Sequence, residues 1–508
     1  MHTRLPRRQF LQSSAALGLG AGLGLNASAI TPARGAMIVK PETVRLRPEI
    51  EPVVKWMEET PREKILDAAI VQLKAGLSYR DLMAGLFLAG IRNIKPRPVG
   101  FKFHAVMVIH SAHLLGQTAA VDERLIPMLW ALDEFKRSQE ADVKEGDWSL
   151  GPVDESRLPS PSQAKSALIK AMDDWDADAA DAATSALCRS AGAAETMEPF
   201  WRYGVRDHRN IGHKAIFAAQ SWRTLQTIGW PHAEPVLRSL SFGILDRQGD
   251  PGRGSSGPYE ANLDVAKNLR QGWSAGNADP GATQSLLDTL RHAKPEAASA
   301  ETAALLNRGV APESLWDAVT LAGSELLLKK PGIIALHAMT SANALHFIYG
   351  ASGDDTTRKL ALLQAAGWIA MFRDALGSVP ELSLDAMAPA PSEATGPEAL
   401  NDIFATVSRS RRDAAAKALG YVSRGGSAED IFAVGRRMIF HKGRDSHDFK
   451  YAAAAWEEAV LASDPKWRGP LTAAALAHFP GTNAPDSPLM TRAREAVASV
   501  LGADKKSG

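Results

Sequence analysis

Apolar residues recur three and four positions apart through most of this chain, while strict alternation of Val, Ile and Thr is almost absent. The first spacing lines one face of a helix; the second would line one face of a strand. Helices are therefore predicted over 63–75, 82–94, 103–115, 124–138, 162–188, 211–228, 233–246, 301–307 and 313–328, and again over 335–349, 356–376, 412–422, 429–441 and 446–461. Thr60-Pro61 supplies a cap and a first-turn proline, and Ser78 with Asp81 resembles a capping box. Stretches 145–161, 249–258 and 387–397 concentrate Gly, Pro, Ser and acidic residues and read as loops. The expected fold class is all-α.

The pattern also repeats. Helix–turn–helix signatures begin at Gly76, Gly309 and Gly425, with a fainter one at Gly192, in steps of 116, 117 and 116 residues. Each glycine suits the position just after a helix, and the residues that follow suit a new N-terminus. HKAIFAAQSW at His213–Trp222 matches HDFKYAAAAW at His447–Trp456, 234 positions later. HAVMVIHSAHLLG from His104 matches HAMTSANALHFIYG from His337, 233 later, each with a second histidine nine residues on, His113 and His346. A degenerate tandem duplication with a period of about 233 residues is the expectation. It gives one multi-helical body of two pseudo-equivalent halves, 37–290 and 291–508.

Two such halves pack about a pseudo-twofold axis, where equivalent residues converge. His104, His213, His337 and His447 would then meet from four helices, as ligands do in metal sites built inside helical bundles. Neutral imidazole suits Fe, Zn, Cu and Ni. The plainer reading is four buried histidines bonded to helix carbonyls. Lys450 breaks the symmetry, since its counterpart in the first half is Ile216. It shares a helix face with His447. On a surface helix it would simply reach solvent. Buried beside a metal, its neutral amine can take up carbon dioxide as a carbamate, an anionic oxygen ligand. Four histidines and one such oxygen leave one position of an octahedron open, as a catalytic site requires.

Composition narrows the classes. The one cysteine, Cys188, excludes an internal disulfide and any site built from several cysteines. Arg7-Arg8-Gln9-Phe10-Leu11, the apolar run 13–25 and small-residue sites ending at Ala29 and Ala36 predict a twin-arginine signal peptide over 1–36. The expected partners thus include the twin-arginine export machinery, and the expected location is periplasmic or extracellular. Residues 1–36 hold four arginines and no acid, so without them the formal charge falls from +1 to −3. That balance, with no basic tract, argues against nucleic acid. No stretch is long and apolar enough for a stable membrane span.

Four windows resemble the questin oxidase-like family of ring-cleaving, non-haem iron dioxygenases. Phe103-His104 through Leu115-Gly116 is similar to that family's Asn-His…Leu-Gly helix, and Gly212-His213-Lys-Ala-Ile-Phe217 to its His-Pro-Leu-Ile-His segment. His337-Ala-Met-Thr resembles its His-Ala-Val-Thr run, and Asp445-Ser-His447-Asp-Phe-Lys450 its Asp-x-His-x-x-Lys. The resemblance implies Fe(II) held by His104, His213, His337, His447 and carboxylated Lys450, with dioxygen and a small organic substrate, aromatic in that family, as reactants. Phe103 stands where the family has Asn and Phe217 where it has a second His, so the pocket departs from the pattern.

His113, His346, Asp445 and Phe217 are the candidates to touch or orient the ligands. His110 and His113 share a face, but His113 lies half a turn from His104 and cannot easily join it on one ion. H-E-x-x-H, G-x-S-x-G and P-loop motifs are absent. The G-x-G-x-x-G at Gly252–Gly257 has no strand before it and Pro258 after it, and so reads as loop. The expected function is an exported oxygen-using oxidoreductase. Its alternatives are a helical binding or scaffold protein with a structural metal or none, and a zinc-dependent hydrolase.

Overall fold

Gly76, Gly309 and Gly425 take φ of 101°, 90° and 92°, each just past the end of a helix. Gly192 does not: at φ −72° it is the N-cap of helix Ala193–Gly204. These values come from a computed structural model, which describes residues 43–247 and 258–504, without side chains for 500–504. The twin-arginine segment 1–36 and the glycine-rich motif at 252–257 lie outside the described residues.

Among the described residues every regular element is helical apart from one isolated bridge, Asn277 to Val310. The all-α expectation holds. No described helix is long and apolar enough to cross a membrane. Of the two predicted caps one forms: Ser78 accepts from the Asp81 amide at 3.0 Å and opens Tyr79–Asn93. Thr60 instead ends the preceding helix Glu51–Glu59, its hydroxyl donating back to the Trp56 carbonyl, and Pro61 leads into a short 3-10 turn, Arg62–Lys64, before helix Ile65–Lys74.

Three differences are instructive. The single helix expected over 162–188 is two, Ala164–Asp174 and Ala177–Ser190, broken by Trp175 in the left-handed region at φ 59°. Asp176 caps the second by accepting from the amides of Asp178 and Ala179. The helix expected over 103–115 is interrupted at Val108, between His104–Met107 and Ile109–Gln117. Helices Pro280–His292 and Gly396–Val407, by contrast, are not among those the apolar spacing predicts. Their prolines sit in the first turn, where a missing N–H costs nothing.

The expected division after residue 290 falls inside helix Pro280–His292. One hydrophobic core runs through both sides of it. Helix Ile333–Ala351 lies at the centre, packed by Pro312–Lys329, Asp355–Leu376, His213–Ile228 and Ser446–Leu461. Its buried residues run almost all round, from Ala335 to Tyr349, as a helix enclosed by others requires. Enclosure on every side is what lets this helix present a polar side chain to an interior point.

Candidate metal centre

His104, His213 and His337 are buried, and each offers a ring nitrogen within 4.8 Å of the other two, close enough to hold one metal ion. Nε2 of His337 lies 2.9 Å from Nε2 of His213. Two nitrogens each about 2.1 Å from one ion and at right angles would sit about 3.0 Å apart. Ring centroids of His104 and His213 are 4.7 Å apart, and those of His213 and His337 4.5 Å.

His447 joins the same group of rings, 4.4 Å from His104 and 5.2 Å from His337 between centroids. It stands at the edge: its nitrogen falls outside the set of three that meets the 4.8 Å distance. Its Nε2 is nonetheless buried and has no hydrogen-bond partner.

The outer nitrogens explain which atoms face inward. His337 Nδ1 pairs with the carbonyl of Ile333 at 2.7 Å, one turn earlier in its helix. His213 Nδ1 pairs with the carbonyl of Asn210, and His447 Nδ1 with Asp445 Oδ1 at 2.7 Å. A ring that donates from Nδ1 keeps its Nε2 lone pair free, the arrangement that fixes tautomer and orientation in metal-binding histidines. His104 differs. Its Nδ1 faces Lys450 Nζ at 2.6 Å and Ser446 Oγ at 3.2 Å.

Local backbone sets these positions. His213 follows three successive left-handed residues, Asn210, Ile211 and Gly212, at φ 56°, 50° and 81°. Non-glycine residues there are strained, and such strain collects at functional sites. Gly212 also approaches the central helix so closely that a Cβ would stand 2.6 Å from Ser341 Cβ. Gly100 lies against the His213 ring, where a Cβ would be 3.2 Å from Cε1. At the other end, Asp445 caps helix Ser446–Leu461 in a full capping box with Asp448 and thereby anchors His447 at the second helical position.

Electrostatics favour neutral donors. Burial, reinforced by Lys450 and the neighbouring histidines, holds His104, His213 and His337 well below the usual histidine range. Burial likewise pushes the Lys450 amine down to about 7. Among the described residues no carboxylate lies within ion-pair distance of it. A cavity of about 10 Å³, one water's worth, abuts Lys450 and is also lined by Gln220, Arg223, Thr340 and Asn343. A larger cleft of about 760 Å³ is lined by Asp445 and Asp448, which flank His447 in sequence, and by Arg409, Arg411, Arg444 and His478, among others; His447 itself does not line it.

The remaining candidates separate. Asp445 touches His447. Phe217 packs edge-on against Phe103 at 4.6 Å, so the two positions that depart from the questin oxidase-like pattern contact each other. His113 and His346 stay apart from the four rings. His113 Nδ1 is bonded to Tyr79 Oη at 3.0 Å, and His346 Nδ1 to buried Glu458 at 2.8 Å while stacking on Trp316. His110 and His113 face each other at 5.9 Å, away from the cluster, beyond the break at Val108. Sequence reasoning missed Ser446 and the carbonyls of Asn210 and Ile333. A backbone acceptor carries no side-chain signal, although a histidine four residues into a helix always has such a carbonyl behind it.

No family model matches this chain, and no curated protein or solved structure matches it either.

Proposed function

We propose that this chain is an exported, mononuclear metal-dependent oxidoreductase of the questin oxidase-like kind, using dioxygen on an organic substrate. One observation carries the reading: three buried imidazoles meet at one point, two of them with Nδ1 tied to a backbone carbonyl and Nε2 facing inward. His447, with its unpartnered Nε2, and Lys450 complete the ligand set in this proposal. Support for the lysine comes from its burial, its lowered pKa and the space beside it. Carboxylation joins the neutral amine nitrogen to the carbon of carbon dioxide, and the amine proton leaves to water. Five donors favour six-coordinate Fe(II) over four-coordinate zinc. When bound, Fe(II) would supply activation of dioxygen.

The protein's own groups do the rest. Asp445 holds His447 in one tautomer, and the strained turn at Asn210–Gly212 sets His213 against the central helix. Phe103 and Phe217, next in sequence to His104 and one turn beyond His213, pack against each other as a buried apolar pair. The cleft lined by Asp445 and Asp448 is within the size range of small-molecule pockets, and its arginines favour an acidic or phenolic aromatic substrate. Export through the twin-arginine route fits a protein that folds around its metal before crossing the membrane.

A second reading follows from the three-histidine set alone, which is also the ligand set of catalytic zinc. Elemental analysis of untagged protein separates the two. About one iron per chain supports the oxidoreductase, about one zinc supports a hydrolase, and no metal in protein grown with both sinks the site.

A further inference from the structure

We propose that the cations gathered around Trp175 form a binding site for an oxyanion, separate from the histidine cluster. Arg206 lies with its Cζ 3.7 Å from the centre of the indole ring, Arg247 at 4.5 Å and Arg209 at 5.2 Å, with Lys214 Nζ at 5.0 Å. Four positive groups therefore share one ring. Stacking on an aromatic face supports a guanidinium by its plane and leaves its N–H edge for another partner.

Arg206 leaves that edge unpartnered. The side chain is buried, 7% exposed, and its Nη1 donates to the Met172 carbonyl at 2.8 Å. Its Nε and Nη2 have no partner. Those two atoms form the parallel N–H pair that takes a carboxylate or phosphate in two-point contact. Arg209 and Arg202, one turn either side in sequence, each leave a buried Nε unpartnered as well.

The local carboxylates are committed elsewhere. Asp207 pairs with Lys214 Nζ at 3.0 Å and accepts from the Arg209 amide. Asp173 accepts from Tyr203 Oη at 2.7 Å, and Asp246 from Asn210 Nδ2 at 3.0 Å. Among the described residues no ion pair joins Arg206, Arg209 or Arg247 to an acid. A guanidinium cannot shed its proton, and burying charge and N–H groups without partners is costly. A neutral ligand would satisfy the N–H groups and leave the charge; a metal cation would worsen it. An oxyanion answers both, whether as free phosphate or sulfate or as the carboxylate of a larger molecule.

The test uses the whole chain with a chelator present, so that its outcome does not depend on the histidine cluster. Inorganic phosphate, sulfate and acetate are titrated by calorimetry at constant ionic strength set with chloride, on wild type, Arg206→Gln and Arg247→Gln. Saturable binding of at least one oxyanion over chloride is expected, weakened about tenfold or more by R206Q and several-fold by R247Q. Phosphate or sulfate alone would identify a tetrahedral anion; acetate as well would identify a carboxylate group. Because Arg247 is exposed, R247Q keeps the test decisive if R206Q does not fold. No oxyanion exceeding chloride, or binding unchanged in every folded variant, overturns the proposal.

Discussion

Replacing His337 by Ala removes the ring at the centre of the cluster, whose Nε2 faces that of His213 at 2.9 Å. Its effect is best read as the change in metal-dependent stability, because the cost of the lost buried ring is then common to both states. A ligand present at 1,000 times its dissociation constant stabilises the fold by about 4 kcal/mol. If losing one imidazole weakens binding about 100-fold, the same metal concentration becomes 10 times the dissociation constant and contributes about 1.4 kcal/mol. At roughly 2 cal/mol/K of unfolding entropy per residue, a chain of 508 residues has about 1 kcal/mol/K. The metal-induced rise in melting temperature should therefore fall from about 4 °C to about 1–2 °C. Scanning calorimetry of wild type and variant, each with anaerobic Fe(II), with Zn(II) and with a chelator, measures both rises. Equal rises in the two proteins, or none in the wild type, would refute the reasoning.

Asp445→Asn should keep the fold, since Asn also caps helices, but weaken metal binding about 10–100-fold by loosening His447; metal content after dialysis against a graded chelator checks this. Phe217→Ala empties a fully buried site against Phe103 and should cost about 3–5 kcal/mol, read as a lower urea midpoint with the slope unchanged; a loss under 1 kcal/mol would show that the pair is not packed as described. Glu458 supplies a pH test. Burial alone would raise it, yet His346 and Asn343 outweigh that and hold it below the usual carboxylate range. A carboxylate depressed in the fold stabilises fully above its unfolded value of about 4.3 and loses that contribution as pH falls through the folded one. Wild type should thus lose stability below about pH 4.3 more steeply than Glu458→Gln does, as urea midpoints across pH 3–6 would reveal; parallel curves would exclude Glu458 as a source.

Much of the helical frame was legible because helix periodicity and end signals are local. Ser446–Leu461 is legible to the residue from its alanine-rich run, and the structure adds the Asp445 cap that starts it. Trp175 was not legible. Nothing between Ala164 and Ser190 contains Gly or Pro, and a left-handed tryptophan is held there by the arginines packed on its ring, which come from elsewhere in the chain. The four histidines were legible through register, since two pairs share an offset of 233 or 234 residues. Extending that argument to His113 and His346 did not bring them to the cluster. A matched position fixes place along a helix, whereas the break at Val108 turns one helix relative to the other.

The sequence by itself determined the helical class, most helix ends and the side chains able to donate to a metal, because each depends on neighbours within a few residues. The tertiary structure alone decided that His104, His213 and His337 share one point and that His447 stands at its edge. It also decided that Lys450 is buried and that Arg206 keeps an unpartnered N–H edge. Those outcomes depend on how far apart in space residues hundreds of positions apart come to rest. Packing around the central helix sets that distance, and no local pattern encodes it.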